Sequence, residues 1–152
     1  MASLIEEAVK LDVNRTMLNA CNNFVEVIPA SIAKLTKLKR FSAYDNALVE
    51  LPPEIGELME LRYLNVRFNR LQCLPPEIGS LSQLRELHVE ANRLTTLPVE
   101  VGKLSNLLKL DLRCVCPETH CGMSANPNPG GVFWLFRAAH PRCCSSRPGT
   151  TC

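Results

Sequence analysis

The sequence predicts an α/β repeat solenoid, with short parallel strands stacked on one side and short helical or 3₁₀ turns returning the chain on the other. Three observations carry this. A block of 23 residues recurs: LRYLNVRFNRLQCLPPEIGSLSQ from Leu61 to Gln83 is followed by LRELHVEANRLTTLPVEVGKLSN from Leu84 to Asn106. Before it run LKRFSAYDNALVELPPEIGELME from Leu38 to Glu60 and RTMLNACNNFVEVIPASIAKLTK from Arg15 to Lys37. A fifth block begins at Leu107 and stops matching after Leu112. Within each block, apolar residues first alternate with period two and then give way to a proline-led arm. A fixed period of this length marks a stacked array, because one such unit cannot bury its apolar face alone.

Residues 1–14 read as a capping helix. Ser3 is a candidate N-cap, and Glu6 three residues on completes a capping box. Leu4, Ile5, Ala8 and Val9 share one face, suited to covering the apolar side that a first repeat would otherwise expose.

Residues 15–112 form the array, four full repeats and the start of a fifth. Period-two spacing places Leu18/Ala20, Phe41/Ala43, Leu64/Val66, Leu87/Val89 and Leu110/Leu112 on one strand face, pointing inward. Each strand is followed by a return in the same sense, so the strands stack in parallel. Asn23, Asn46, Asn69 and Asn92 stand where each strand turns. An amide carries both donors and acceptors, so these four are expected to be buried, bonded to turn backbone, and structural. Pro29, Pro52, Pro75 and Pro98 open the return arms; a residue without an N–H cannot sit in a central strand. Ile32, Ile55, Ile78 and Val101, with Leu35, Leu58, Leu81 and Leu104, supply the second wall of the core. Gly56, Gly79 and Gly102 permit a close-packed backbone there.

Residues 113–152 are set apart by composition. Beyond Arg113 the chain holds five Pro and four Gly, no Lys and no Asp, and no repeat survives. This segment reads as a disordered or loosely packed tail. Six of the eight cysteines crowd into it, Cys114, Cys116, Cys121, Cys143, Cys144 and Cys152, leaving Cys21 and Cys73 in the repeats. A chain-wide disulfide framework would be spread more evenly. With His120, these thiols have the chemistry zinc prefers, but C-x-C-x₃-H-C matches no established finger spacing.

Charge narrows the partner class. Formal net charge is +2 over the 152 residues, and Met1–Arg113 carries 14 charges of each sign. A balanced array argues against nucleic-acid binding by counterion release. No apolar run approaches bilayer length, and Glu6 and Glu7 interrupt the place where a secretory peptide needs its apolar stretch. The chain therefore reads as cytoplasmic and monomeric, and Asn14-Arg15-Thr16 would matter as a glycosylation acceptor only on a secreted chain.

From Arg15 to Leu112 the sequence resembles the leucine-rich repeat family. The form LPPEIGxLxxLxxLxVxxNxL is similar to the 23-residue class found in Ras-scaffolding and Ras-suppressor proteins, plant intracellular relatives and cell-polarity scaffolds. The resemblance implies a short curved horseshoe with the parallel sheet on its concave face and helical turns on its convex face. It also implies a non-enzymatic module that binds another protein on the concave face, in intracellular signalling or scaffolding, with a small GTPase pathway as the leading context. No cofactor and no metal are implied.

Outward strand positions form three columns with neighbours about 4.7–4.9 Å apart. They are Met17–Arg40–Tyr63–Glu86–Lys109, Asn19–Ser42–Asn65–His88–Asp111, and Cys21–Tyr44–Arg67–Glu90–Arg113. Asn22, Asp45, Phe68 and Ala91 lie just beyond. Arg67–Glu90–Arg113 and Glu86–Lys109 face each other as opposite charges, a ladder that could be satisfied within itself. That ladder does not absorb Arg40, Tyr44, Tyr63 and Phe68 beside Arg67, and Tyr and Arg dominate binding hot spots. The expected partner site is this cluster, with Glu86, His88 and Glu90 as a polar rim. Replacing Tyr63 and Arg67 together is expected to abolish partner capture with no change in melting temperature.

Catalysis fails on distance. Cys21 and His88 are three strands apart, about 14 Å, beyond hydrogen-bond reach. Two other readings remain open from the residues alone. One is a secreted or membrane-displayed recognition fragment with a disulfide-bonded tail; the other is a truncated product with a weak zinc-binding tail.

Overall fold

The computed structural model describes residues 4–112. Helix α1 (Leu4–Leu11) comes first, and then strands β1 (Met17–Asn19), β2 (Arg40–Ser42), β3 (Tyr63–Asn65), β4 (Glu86–His88) and β5 (Lys109–Asp111) recur once per repeat. Between successive strands run four 3₁₀ turns: η1 (Ala30–Lys34), η2 (Pro53–Glu57), η3 (Pro76–Ser80) and η4 (Val99–Lys103). The strands form one parallel sheet in the order β1-β2-β3-β4-β5, an open sheet stacked in chain order. Leu18, Phe41, Leu64, Leu87 and Leu110 stand side by side in the register, flanked by the Met17–Lys109 and Asn19–Asp111 columns. Backbone hydrogen bonds continue past the strands, from Asn22 N–H to Tyr44 O at 2.9 Å and from Asp45 N–H to Arg67 O at 3.0 Å.

The core lies between sheet and 3₁₀ turns. Phe41, Leu64 and Leu87 are fully buried from the strand side, and Ile32, Ile55, Ile78 and Val101 meet them from the turns. Leu110 and Leu112, expected inward like the rest, are only partly buried against this core. Each 3₁₀ turn starts from a proline held in extended geometry, with φ between −71° and −64° at Pro29, Pro52, Pro75 and Pro98. The ring presets that φ, and the absent N–H costs nothing where no ladder partner is due. At the other end of the array, α1 packs against η1 and buries Ile5, Ala8 and Val9 in the same core. Ser3 lies outside the described residues.

Two glycines have a steric reason to be glycine. A Cβ on Gly56 would stand 2.6 Å from Glu77 O, and one on Gly79 would stand 2.6 Å from Glu100 O. Adjacent 3₁₀ turns thus stack backbone to backbone. Gly102 occupies the equivalent place in η4, but a Cβ there meets nothing within 4 Å.

The asparagines bind neighbouring repeats together. Asn69 Nδ2 donates to Val66 O at 3.0 Å in its own repeat and to Ala43 O at 2.9 Å in the preceding one. Its Oδ1 accepts from Leu48 N–H at 3.0 Å. Asn46 repeats the pattern with Ala43 O, Ala20 O and Val25 N–H. Asn92 repeats it with Val89 O, Val66 O and Leu71 N–H. The Asn23 side chain, with no earlier repeat beneath it, bonds among the described residues only to Ala20 O and Cys21 O. Asn69 is buried while the other three are half-buried, a departure from uniform burial.

Candidate protein-binding face

The outer side of the sheet divides into two chemically different halves. Across β1–β3 the outward side chains are exposed or half-buried, Asn65 excepted, and Arg67 alone makes an ion pair among the described residues. Arg40 is exposed and its guanidinium lies 4.2 Å from the centroid of the Tyr63 ring. Tyr44 and Phe68 meet edge to face with ring centroids 5.3 Å apart, a favoured aromatic geometry. Arg67 lies 5.8 Å from the Phe68 ring, which ties the two groups together.

Phe68 is unusual in its backbone. Asn22, Asp45, Phe68 and Ala91 all adopt positive φ, between 53° and 55°, where each strand turns. Asn and Asp tolerate that region, whereas a bulky aromatic there is a real outlier. The Phe68 side chain is nevertheless 47% exposed. A phenyl ring held in water on a disfavoured backbone gains little for the fold.

Across β4–β5 the polar groups are turned on one another. His88 is only 4% exposed, with Nδ1 2.9 Å from Asp111 Oδ2 and Nε2 3.2 Å from Glu86 Oε2. Lys109 Nζ lies 3.6 Å from Asp111 Oδ2. Burial raises the Asp111 carboxyl, but the hydrogen bond to His88 and the charge of Lys109 outweigh it and hold the group below its ordinary value. Arg67 Nη2 is ion-paired with Glu90 Oε1, and Glu90 is 7% exposed. That contact is single rather than forked, and Arg67 Nε and Glu90 Oε2 are buried without partners among the described residues.

The structure brings Arg40, Tyr44, Tyr63, Arg67 and Phe68 together as one strip over β2 and β3. It places His88 and Glu90 inside rather than at a rim, since both are buried, and Glu86 beside them is half-buried. Of the expected charge ladder, Arg67–Glu90 forms. Glu86 and Lys109 are in register, yet Glu86 turns to His88 and Lys109 to Asp111. Arg113 and the six tail cysteines lie outside the described residues.

Two residues here were not singled out from sequence. Asn65 is buried, donates to the Tyr63 hydroxyl at 3.2 Å and accepts from Arg67 N–H at 3.2 Å. Asp111 anchors His88. The signal was present in the Asn65–His88–Asp111 column, where an imidazole and a carboxylate become cross-strand neighbours. Cys21 lies two residues past β1 and His88 on β4, and Cys21 Sγ lies 3.0 Å from Ser42 Oγ instead. Cys21 and Cys73 are free thiols. Among the described residues no group of three or more His, Cys, Asp or Glu could hold a metal ion, and no helix is long and apolar enough to cross a membrane.

Such a stack of strand, asparagine turn and 3₁₀ arm, with an open sheet face, defines a leucine-rich repeat domain. The chain belongs to that family: the description of a leucine-rich repeat region matches residues 5–125. Domains of this class serve as protein–protein interaction modules. Among solved structures, a leucine-rich repeat protein of Leptospira interrogans is 43% identical with a TM-score of 0.62. The match covers 62% of this chain and 24% of that one, so the chain spans about a quarter of that protein's length. No curated protein gives a match.

Proposed function

We propose that this chain is a non-enzymatic recognition module that binds another protein on its sheet face, through the strip Arg40, Tyr44, Tyr63, Arg67 and Phe68. The observation that carries the reading is Phe68, exposed against Tyr44 on a backbone that disfavours it. Strained geometry at an exposed aromatic is what a binding site retains and a purely structural position discards. Residues 1–14 serve as the cap, 15–112 as the binding array and 113–152 as a tail. The setting is cytoplasmic signalling or scaffold assembly by a monomer, with a small GTPase or its regulators as the partner class that the 23-residue repeat form suggests.

The structure changes how this is best tested. Removing Arg67 would strand the buried Glu90 carboxylate, so the Tyr63/Arg67 pair mixes binding with stability. Phe68→Asn keeps a residue suited to positive φ and removes the ring. The full chain and the Phe68→Asn variant are compared as baits by quantitative mass spectrometry, beside thermal melts. A set of proteins captured by the first and lost from the second, at unchanged or higher melting temperature, supports the reading. Identical capture refutes it.

A further inference from the structure

We infer that the β1–β3 half of this face takes an acidic, extended polypeptide segment, with a carboxylate set against Arg40 and an apolar side chain against Phe68 and Tyr44. This rests on the binding-face reading above and specifies its partner. Two guanidiniums lie on this sheet face among the described residues, Arg40 next to Tyr63 and Arg67 next to Glu90. Arg67 is committed to Glu90, whereas Arg40 makes no ion pair among the described residues and is held only over the Tyr63 ring. The carboxylates of the neighbouring half do not compete for it. Glu86 and Asp111 hold His88, Asp111 also meets Lys109, and Glu90 holds Arg67. Asp45, at the turn after β2, makes no ion pair among the described residues either.

The sheet face is therefore segregated, with Arg40, unpaired among the described residues, beside open aromatics over β1–β3, Asp45 at the far edge of that half, and polar groups paired with one another over β4–β5. At Arg40, five residues from Asp45 along the chain, electrostatic complementarity selects an acidic group. A planar guanidinium preorganised on a ring loses little freedom on meeting a carboxylate, and it offers a forked pair of donors.

The shape favours a polypeptide over an enclosed small molecule. Beside Arg40 lies a shallow groove of about 200 Å³ between Met17, Asn19, Cys21, Arg40, Ser42 and Tyr63. Small-molecule pockets run to about 300–1,000 Å³ and enclose most of their ligand. This groove admits one side chain of a segment laid along β2 and β3, and Phe68, five residues beyond Tyr63, gives that segment a second hold.

The test is selection of random linear peptides on the immobilised full chain, with binding of chosen peptides then measured by titration. The inference expects Asp and Glu to be enriched in the selected pool. Arg40→Glu should weaken a selected peptide roughly tenfold or more, and so should Gln in place of the peptide's Asp or Glu. Raising salt from about 0.1 M to about 1 M, which shortens the Debye length from about 10 Å to about 3 Å, should weaken it as well. Arg40→Lys should fall between, since it keeps the charge and loses the ring stacking and fork. A pool with no acidic excess, acidic peptides that bind Arg40→Glu unchanged, or no enrichment over bare support each overturns the inference. Peptides without acidic excess that are still lost in Phe68→Asn overturn the acidic partner alone and leave the binding face intact. Selected peptides indifferent to both Arg40→Glu and Phe68→Asn overturn the binding face as well.

Discussion

Gly79 and Gly102 hold equivalent positions in successive repeats, so alanine at each gives an internally controlled test of how the 3₁₀ turns stack. At Gly79 the new methyl carbon would lie 2.6 Å from Glu100 O and 2.7 Å from Glu100 Cβ, both too close to persist. Adjacent turns would have to separate, and overpacking of this kind costs about 1–3 kcal/mol. Neither glycine has a positive φ that alanine would resist. Alanine therefore also restricts the unfolded chain, which returns about 0.4–1 kcal/mol. Gly79→Ala is expected to lose about 1–2 kcal/mol net, while Gly102→Ala, with open space around its Cβ, gains about 0.4–1 kcal/mol. Near 100 residues, each kcal/mol moves the midpoint by about 4 °C, so the two variants should melt on opposite sides of the parent. Thermal and urea unfolding followed by circular dichroism would show it. Equal shifts for both, or a gain at Gly79, would mean that the turns do not pack as closely as described and would refute the argument.

Four further outcomes follow from the same contacts. Asn69→Ala leaves Leu48 N–H and three neighbouring carbonyls without their amide partner, and should cost about 3–4 kcal/mol by urea titration. Asn23→Ala, which loses bonds within one repeat only, should cost about 1 kcal/mol in the same assay. Arg67→Ala should cost about 2–3 kcal/mol by stranding Glu90, and adding Glu90→Gln should recover part of it; a double-mutant cycle without coupling would contradict the ion pair. Asp111 has a folded-state pKa below its ordinary 3.8, so its contribution is complete above that value and disappears as pH falls through the lower folded one. Acid unfolding of Asp111→Asn should accordingly lose part of the steepness below about pH 4, read from melting temperature against pH.

Much of the fold was legible because every repeat says the same thing. The columns Met17–Lys109 and Asn19–Asp111 could be written down before any coordinates, since a period of 23 residues sets cross-strand register once the strands are parallel. The proline arms and the asparagine turns were equally readable, as each residue type has one backbone task there. The site was legible only by address. Adjacency in a column does not say which neighbour a flexible side chain will choose. Glu86 faces Lys109 in register and yet pairs with His88, because that imidazole is buried and needs partners while Lys109 stays in water. The positive φ at Phe68 could have been suspected from its alignment with Asn22 and Asp45, but only geometry shows that the ring remains outside.

The amides of the asparagine turns give the array a direction of dependence. Leu48 N–H is closed by Asn69, and Leu71 N–H by Asn92, so each turn is finished by the repeat that comes after it. Position 115, the next in the sequence series, lies outside the described residues, and among those described no side chain closes the turn at Leu94. Loosening should therefore begin on the β4–β5 side and travel back toward α1. Native-state hydrogen exchange should reveal a gradient of protection that rises from Leu94 through Leu71 to Leu48.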